Sequence, residues 1–225
     1  LSMPRIPRID VGNEIYHVIN RANGRMQIFN TPEDYLLFEG LMEEAKELTG
    51  MRIFAYEIMP NHWHLVLSPR NDGDLGLFMH HLTNKHTRQV HTTTGTVGSG
   101  HLYQGRYKSF LVDSENYLLA VVKYIERNSV RANLVRFCED WQWGSVWRRT
   151  YGTFQQQKLL DPIPAELPDD YLEWVNTADK IFDVDMIRAS VNKGVPFGRA
   201  KWVDEMVTKF HMENTLRRAG RPKKN

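Results

Sequence analysis

A single cysteine, Cys138, occurs in 225 residues, so no disulfide can form within the chain and an oxidising compartment is not implied. Long apolar runs are also missing. No stretch approaches the roughly 20 residues that a membrane-spanning helix needs, and Leu1 to Arg8 lacks the apolar core of a signal peptide. A cytoplasmic protein is therefore expected. A strong charge imbalance is absent too: the formal net charge of +2 is too small to name nucleic acid as a partner by itself. What is present is ordinary for a globular protein, 41% hydrophobic and 25% charged residues. That is enough for one substantial core with an appendage, or for two small domains.

Leu1 to Gly12, with Arg5 and Arg8, reads as an extended basic lead-in. Glu14 to Asn20 has strand composition and ends in a turn, Arg21-Ala22-Asn23-Gly24-Arg25. Thr31-Pro32-Glu33 is a helix start, with Thr31 as N-cap and proline at the first helical position. The helix is predicted to run to Leu48 and stop at Gly50, burying Leu37, Leu41, Ala45 and Leu48. Two strands follow, Arg52 to Ile58 and His62 to Ser68, joined across Pro60-Asn61 as a hairpin. A second helix, Leu75 to His91, presents Leu75, Phe78, Met79 and Leu82 on one side. After a Thr/Gly-rich loop, Arg106 to Leu111 alternates as a fourth strand, and Asp113-Ser114-Glu115 opens a third helix reaching Asn128.

This order predicts an α+β fold: a four-stranded antiparallel sheet of the ferredoxin-like, split-βαβ kind, with helices on one face and an added helix. Residues 1–150 form that domain, and 151–225 a helical extension. Short helices are expected over residues 170–176, 184–192 and 199–210, with a Gly/Pro corner at Lys193 to Gly198. Two helices across such a corner are either a DNA-reading helix-turn-helix or an appendage packed on the main domain. The tail carries Arg217, Arg218, Arg221, Lys223 and Lys224, a basic arm suited to phosphate contacts or simply to solubility.

The chemistry concentrates in two places. In Met59-Pro60-Asn61-His62-Trp63-His64-Leu65-Val66-Leu67 the two histidines alternate along a strand and share a face. Their Cα atoms lie roughly 7 Å apart, close enough to converge on one divalent ion. By itself His-x-His is equally a polar strand face. In the third helix Leu118, Val121, Val122 and Ile125 form an apolar arc, and Tyr124 and Asn128 lie on its edge. Lys123, Arg127 and Arg131 flank them. Two imidazoles and the Asn128 amide oxygen can hold a hard divalent ion that polarises a phosphodiester. A tyrosine hydroxyl, mostly protonated at neutral pH, is a poor nucleophile. It can attack phosphorus once metal and arginines neutralise the phosphate. The resulting phosphotyrosine ester keeps the bond energy, so a strand can be rejoined without ATP.

Three segments, Ala55 to Val66, Gly105 to Lys108, and Tyr124 to Val135, resemble in sequence and order the REP-associated tyrosine transposases, relatives of the single-tyrosine HUH transposases. The resemblance spans about residues 14–150, and Pro196-Phe197-Gly198 with the Gly-Arg-Pro-Lys-Lys tail is similar to C-terminal features of some members. It implies an endonuclease and strand transferase acting on single-stranded DNA near hairpin repeats, in the bacterial cytoplasm and nucleoid, as monomer or homodimer. By motif match, His62 and His64 are metal ligands for Mg²⁺ or Mn²⁺, Tyr124 is the nucleophile and Asn128 the third ligand. Trp63 between the histidines and Ser129 in place of a common proline depart from the pattern without removing a catalytic group.

Phosphate contacts are expected from Arg21, Arg25, Arg106, Lys108, Lys123, Arg127 and Arg131, against the plainer alternative of solvated surface charge. Bases could stack on Trp63, Tyr103 or Tyr107. Two rival readings are a catalytically idle hairpin-binding protein and a zinc hydrolase recruiting a third histidine such as His17 or His80.

Overall fold

Tyr16 and Val18 of strand β1 (Ile15–Arg21) point to one side of the sheet, and His17 to the other. The same alternation runs through β2 (Arg52–Met59), β3 (His62–Ser68) and β4 (Lys108–Val112). The structure, a computed structural model, describes residues 9–98 and 100–216. The basic lead-in and the tail residues Arg217, Arg218, Arg221, Lys223 and Lys224 lie outside the described residues. The four strands pair antiparallel in the order β2-β3-β1-β4. The split-βαβ prediction holds: β3 lies between β1 and β2.

Helix α1 (Pro32–Thr49) begins on a capping box between Thr31 and Asp34 and ends at Gly50, whose φ of 65° suits glycine. Its buried stripe is Tyr35, Phe38, Leu41, Met42 and Ala45, rotated from the predicted one, and Leu48 is 65% exposed. Helix α2 (Asp74–Thr93) buries Leu75, Phe78, Met79 and Leu82 as expected. Both helices pack with Trp63, Leu65 and Leu67 on one sheet face.

The added helix of the prediction is α3 (Asn116–Glu126), and it lies on the other face of the sheet. Its apolar arc, Leu118, Val121, Val122 and Ile125, packs with Phe54, Ala55, Val66, Phe110 and Val112 on the opposite face. The reason is visible in β2 and β3, whose near-continuous apolar runs belong to strands buried on both sides. Helix α3 also stops earlier than predicted. Arg127 leaves helical geometry (φ −98°, ψ 4°), and a single turn, α4 (Asn128–Arg131), carries Asn128.

Helices α5 (Ser145–Tyr151) and α6 (Phe154–Gln157) are not among the predicted elements, whereas α7 (Tyr171–Asn176), α8 (Ile181–Lys193) and α9 (Ala200–Lys209) fall close to the three short helices expected. The extension shares the two main cores: Leu159 and Met206 join one, and Ile163, Ile187 and Phe197 the other. At the corner between α8 and α9, Phe197 accepts from Asp113 N–H (2.9 Å) and donates to the Leu111 carbonyl (2.8 Å), extending the outer edge of β4. At the other edge, β2 is held by residues 141–161. Ile58 N–H donates to the Trp143 carbonyl (2.9 Å), Tyr56 N–H to Ser145 Oγ (3.1 Å) and Ile53 N–H to Asp161 Oδ2 (2.9 Å).

The corner predicts a mutational result. A Cβ at Gly198 would fall 2.5 Å from Asp113 Cβ and 2.5 Å from the Trp202 ring. Asp113 is pinned by Arg199 Nε (2.8 Å), so it cannot yield easily. Gly198→Ala is expected to cost about 1–3 kcal/mol by overpacking, read from urea unfolding; a neutral result would mean that the corner repacks.

A buried relay gives a second prediction. Trp63 Nε1–H donates to Tyr103 Oη (3.1 Å), and that hydroxyl shares a hydrogen bond with His86 Nδ1 (2.7 Å) on α2. Burial lowers the His86 pKa to about 3. The unfolded chain takes up that proton near pH 6.5, so the stabilising contribution is complete above that value and lost as pH falls toward 3. Between pH 7 and pH 5 the loss is roughly 2 kcal/mol for one such group. Urea titrations of the wild type should show this extra loss relative to His86→Phe, and parallel pH profiles would contradict it.

Candidate active site

The turn at Pro60-Asn61 delivers His62 to the start of β3, where its Nδ1–H donates to Asn61 Oδ1 at 2.6 Å. Two residues on, His64 points to the same face, with its Nδ1 2.8 Å from Nε2 of His17 on β1. The His62 and His64 ring centroids are 5.2 Å apart and nearly perpendicular. Helix α3 brings Tyr124 against this pair, its ring centroid 6.2 Å from that of His64. The guanidinium of Arg131 lies 4.3 Å from the Tyr124 ring centroid on the ring face. Arg131 Nη2 donates to Asn128 Oδ1 (2.6 Å) and to the Tyr124 carbonyl, while its Nη1 pairs with Asp179 (2.9 Å).

Burial sets the electrostatics. It lowers His62 to about 4, helped by the nearby Arg21 charge, and His17 to about 3. His64 is held well below the usual imidazole range, first by burial and then by His17, His62, Arg131 and Arg21. The three rings are therefore neutral at physiological pH, the form that ligates metal. Across the hairpin from His64, Glu57 is fully enclosed, and burial raises its pKa far above the carboxylate norm despite the Ser129 N–H that it accepts at 2.8 Å.

These residues fit a divalent cation. His62 and His64 each commit Nδ1 to a hydrogen bond, and among the described residues neither Nε2 has a partner. Asn128 carries an amide whose Nδ2 is buried without a partner, but its Oδ1 is taken by Arg131. Ligation by that oxygen thus requires Arg131 to release it. A third histidine is not at hand: His80 is exposed on α2, bonded to Asn84, and His17 is engaged with His64. Among the described residues no three His, Cys, Asp or Glu side chains form a metal cluster.

The family described as "Transposase IS200 like" matches residues 10–128, more than half of the chain. The chain belongs to this transposase family. The solved structure of a REP-associated tyrosine transposase bound to a REP hairpin superimposes with a TM-score of 0.54 at 19% identity. The match covers 65% of this chain and 84% of that one, and it shares the fold. A Deinococcus radiodurans R1 protein assigned to the transposases overlaps at TM-score 0.38 and 17% identity, covering 60% of this chain and 92% of its own. Among curated proteins none matches.

In this IS200-like transposase the expected DNA contacts divide into two groups. Arg21, Arg106 and Lys108 line one cleft of about 340 Å³ with Asn20 and Gln104. Arg21 is the cross-strand partner of His62, so this cleft runs up to the site. Arg25 is exposed on the turn after β1. The stripe on α3 and α4 instead turns inward. Arg127 is buried, pairing with Asp179 (3.0 Å) and the Val175 carbonyl (2.8 Å). Lys123 donates to Thr177 Oγ1 (2.7 Å) and lies over the Trp174 ring. These two side chains tie the transposase to its own C-terminal extension.

Trp63 and Tyr103 are core residues bonded to each other, so neither offers a face to a base; Tyr107 is half-buried. Sequence reasoning missed Asp179, which draws two arginines inward, and gave His17 only a rival role. The signal for His17 was its parity, a histidine between the buried Tyr16 and Val18 in the apolar first half of its strand. Among the described residues no helix is long and apolar enough to cross a membrane.

Proposed function

We propose that this transposase cuts single-stranded DNA beside a hairpin by direct attack of Tyr124 and rejoins strands through the same bond. The observation that carries the reading is the position of Tyr124: buried against His64, under the Arg131 guanidinium, within a transposase fold. Tyr124 also lines a cleft of about 700 Å³ between α3 and the extension, with Lys123, Trp174 and Lys180 on its walls. Its walls also carry Asp179 and Asp183, and Lys123 is committed to Thr177 and Trp174, so Lys180 is the cation this cleft offers a backbone phosphate. The structural neighbour bound to a REP hairpin supports hairpin DNA as the partner.

In the proposed step Tyr124 Oη loses its proton and bonds to phosphorus, while the bond from phosphorus to the 3′ oxygen breaks. The products are a 5′-phosphotyrosine and a free 3′-OH, and attack by a second 3′-OH reverses the step. His62 and His64, through Nε2, would hold Mg²⁺ or Mn²⁺, with Asn128 as third ligand once Arg131 releases its Oδ1 while staying over the Tyr124 ring. The bound ion supplies Lewis-acid neutralisation of the scissile phosphate. Arg131 places positive charge beside the forming ester, and Arg21, Arg106 and Lys108 lead the backbone toward His62.

A second reading, an idle hairpin binder, draws on one fact: Arg131 occupies the oxygen that the third ligand needs. Covalent capture separates the two. Protein, Mn²⁺ and single-stranded oligonucleotides flanking a hairpin are incubated and run on a denaturing gel. The transposase reading expects a shifted protein–DNA band that EDTA prevents; hairpin binding with no adduct across many sequences favours the idle binder.

A further inference from the structure

His17 is fully enclosed, yet the proposed chemistry gives it no task. Its ring meets that of His64 edge to edge, with centroids 5.1 Å apart and an interplanar angle of 28°, and the Phe110 ring packs against it with centroids 4.8 Å apart. Its Nε2 is 2.8 Å from His64 Nδ1, while its own Nδ1 is buried without a partner.

The two candidate ligands are fixed differently. His62 gives its Nδ1 proton to an amide oxygen, which leaves Nε2 with a lone pair facing outward. His64 has no carbonyl or carboxylate at Nδ1; its partner there is another imidazole. A neutral pair sharing one hydrogen bond has two arrangements. If His17 Nε2–H donates, His64 carries its proton on Nε2 and cannot ligate through that atom. If His64 Nδ1–H donates, its Nε2 lone pair is exposed, and His17 holds a proton on Nδ1, where it meets no acceptor.

We propose that His17 is a positioning residue for the metal site: it accepts the Nδ1 proton of His64 and so turns the Nε2 lone pair toward the cation. This rests on the reading of His62 and His64 as ligands. The unaccepted Nδ1–H makes the ligating arrangement the less comfortable one without metal, so ion binding selects it. Ligand histidines in general donate their second nitrogen to an oxygen acceptor, and losing that partner weakens metal binding by about 10–100-fold. A histidine acceptor differs in having a tautomer of its own.

His17→Phe keeps the ring between His64 and Phe110 and deletes the acceptor. Mn²⁺ affinity, followed by the EPR signal of free ion, should fall about 10–100-fold while the thermal midpoint stays near that of the wild type. His17→Gln, which restores an acceptor oxygen, should recover part of the loss. Imidazole ¹⁵N spectra of the wild type with Mg²⁺ should show His64 protonated on Nδ1. If the wild type takes up Mn²⁺, His62→Ala does not, and His17→Phe binds as tightly as wild type, the inference is wrong and the metal reading survives. If the wild type takes up no Mn²⁺, both fall. Should the phenylalanine variant not fold, the spectra decide: His64 protonated on Nε2 in the Mg²⁺-loaded protein overturns the proposal.

Discussion

Tyr124→Phe is expected to abolish the covalent DNA adduct while leaving hairpin affinity within about twofold of wild type. The substitution removes one oxygen. The ring that packs on His64 and beneath Arg131 remains, so the fold and the cation–π contact persist. Removing a nucleophile without replacement typically costs about 10⁴-fold or more in rate. Three neighbouring side chains cannot take its place: Ser129 and Ser145 are fully buried, and Cys138 is buried with its thiol pushed up to about 12 by desolvation and the neighbouring Glu57. The same gel reads the result. An adduct of undiminished yield in Tyr124→Phe would show that another group attacks the phosphate, and the reading of this site would have to be abandoned.

The second large effect concerns stability. Arg148 on α5 is 2% exposed and bridges two elements. Its Nη2 pairs with Glu39 of α1 at 2.5 Å, its Nε–H donates to Tyr56 Oη at 2.5 Å, and Tyr56 donates in turn to Glu39 Oε1 at 2.6 Å. Arg148→Met deletes the cation and strands a buried carboxylate. A loss of about 3–5 kcal/mol is expected, lowering the melting temperature by roughly 6–20 °C in a protein of this size. Adding Glu39→Leu should return much of that, because an apolar pair no longer buries an uncompensated charge. Calorimetry on the single and double variants measures both. If Arg148→Met costs less than about 1 kcal/mol, the bridge contributes no more than a surface ion pair.

The parts of the site legible in the sequence are those fixed by local geometry. Strand alternation put His62 and His64 on one face, and helical spacing put Tyr124 beside the apolar arc, because both follow from backbone periodicity alone. Long-range choices were not legible. The pairing of Ile19 with His64, which brings His17 to the site, depends on the β1–β3 register, and no spacing in the chain encodes it. Arg127 and Arg131 read as a free basic stripe because their partner, Asp179, lies about fifty residues away beyond three further helices. Leu48 read as core because a three-or-four spacing does not say which flank of an apolar arc reaches solvent; Tyr35 and Phe38 set the true direction of α1. Helix α5 is too short for periodicity to separate it from a loop, so its arginines gave no hint of burial.

Both margins of the sheet are already spoken for: Phe197 lies along β4, and Trp143, Ser145 and Asp161 lie along β2. Unpaired strand margins are where like chains fuse their sheets. A strand from a second copy could pair along these covered stretches only by displacing the Phe197 corner from β4 or residues 141–161 from β2.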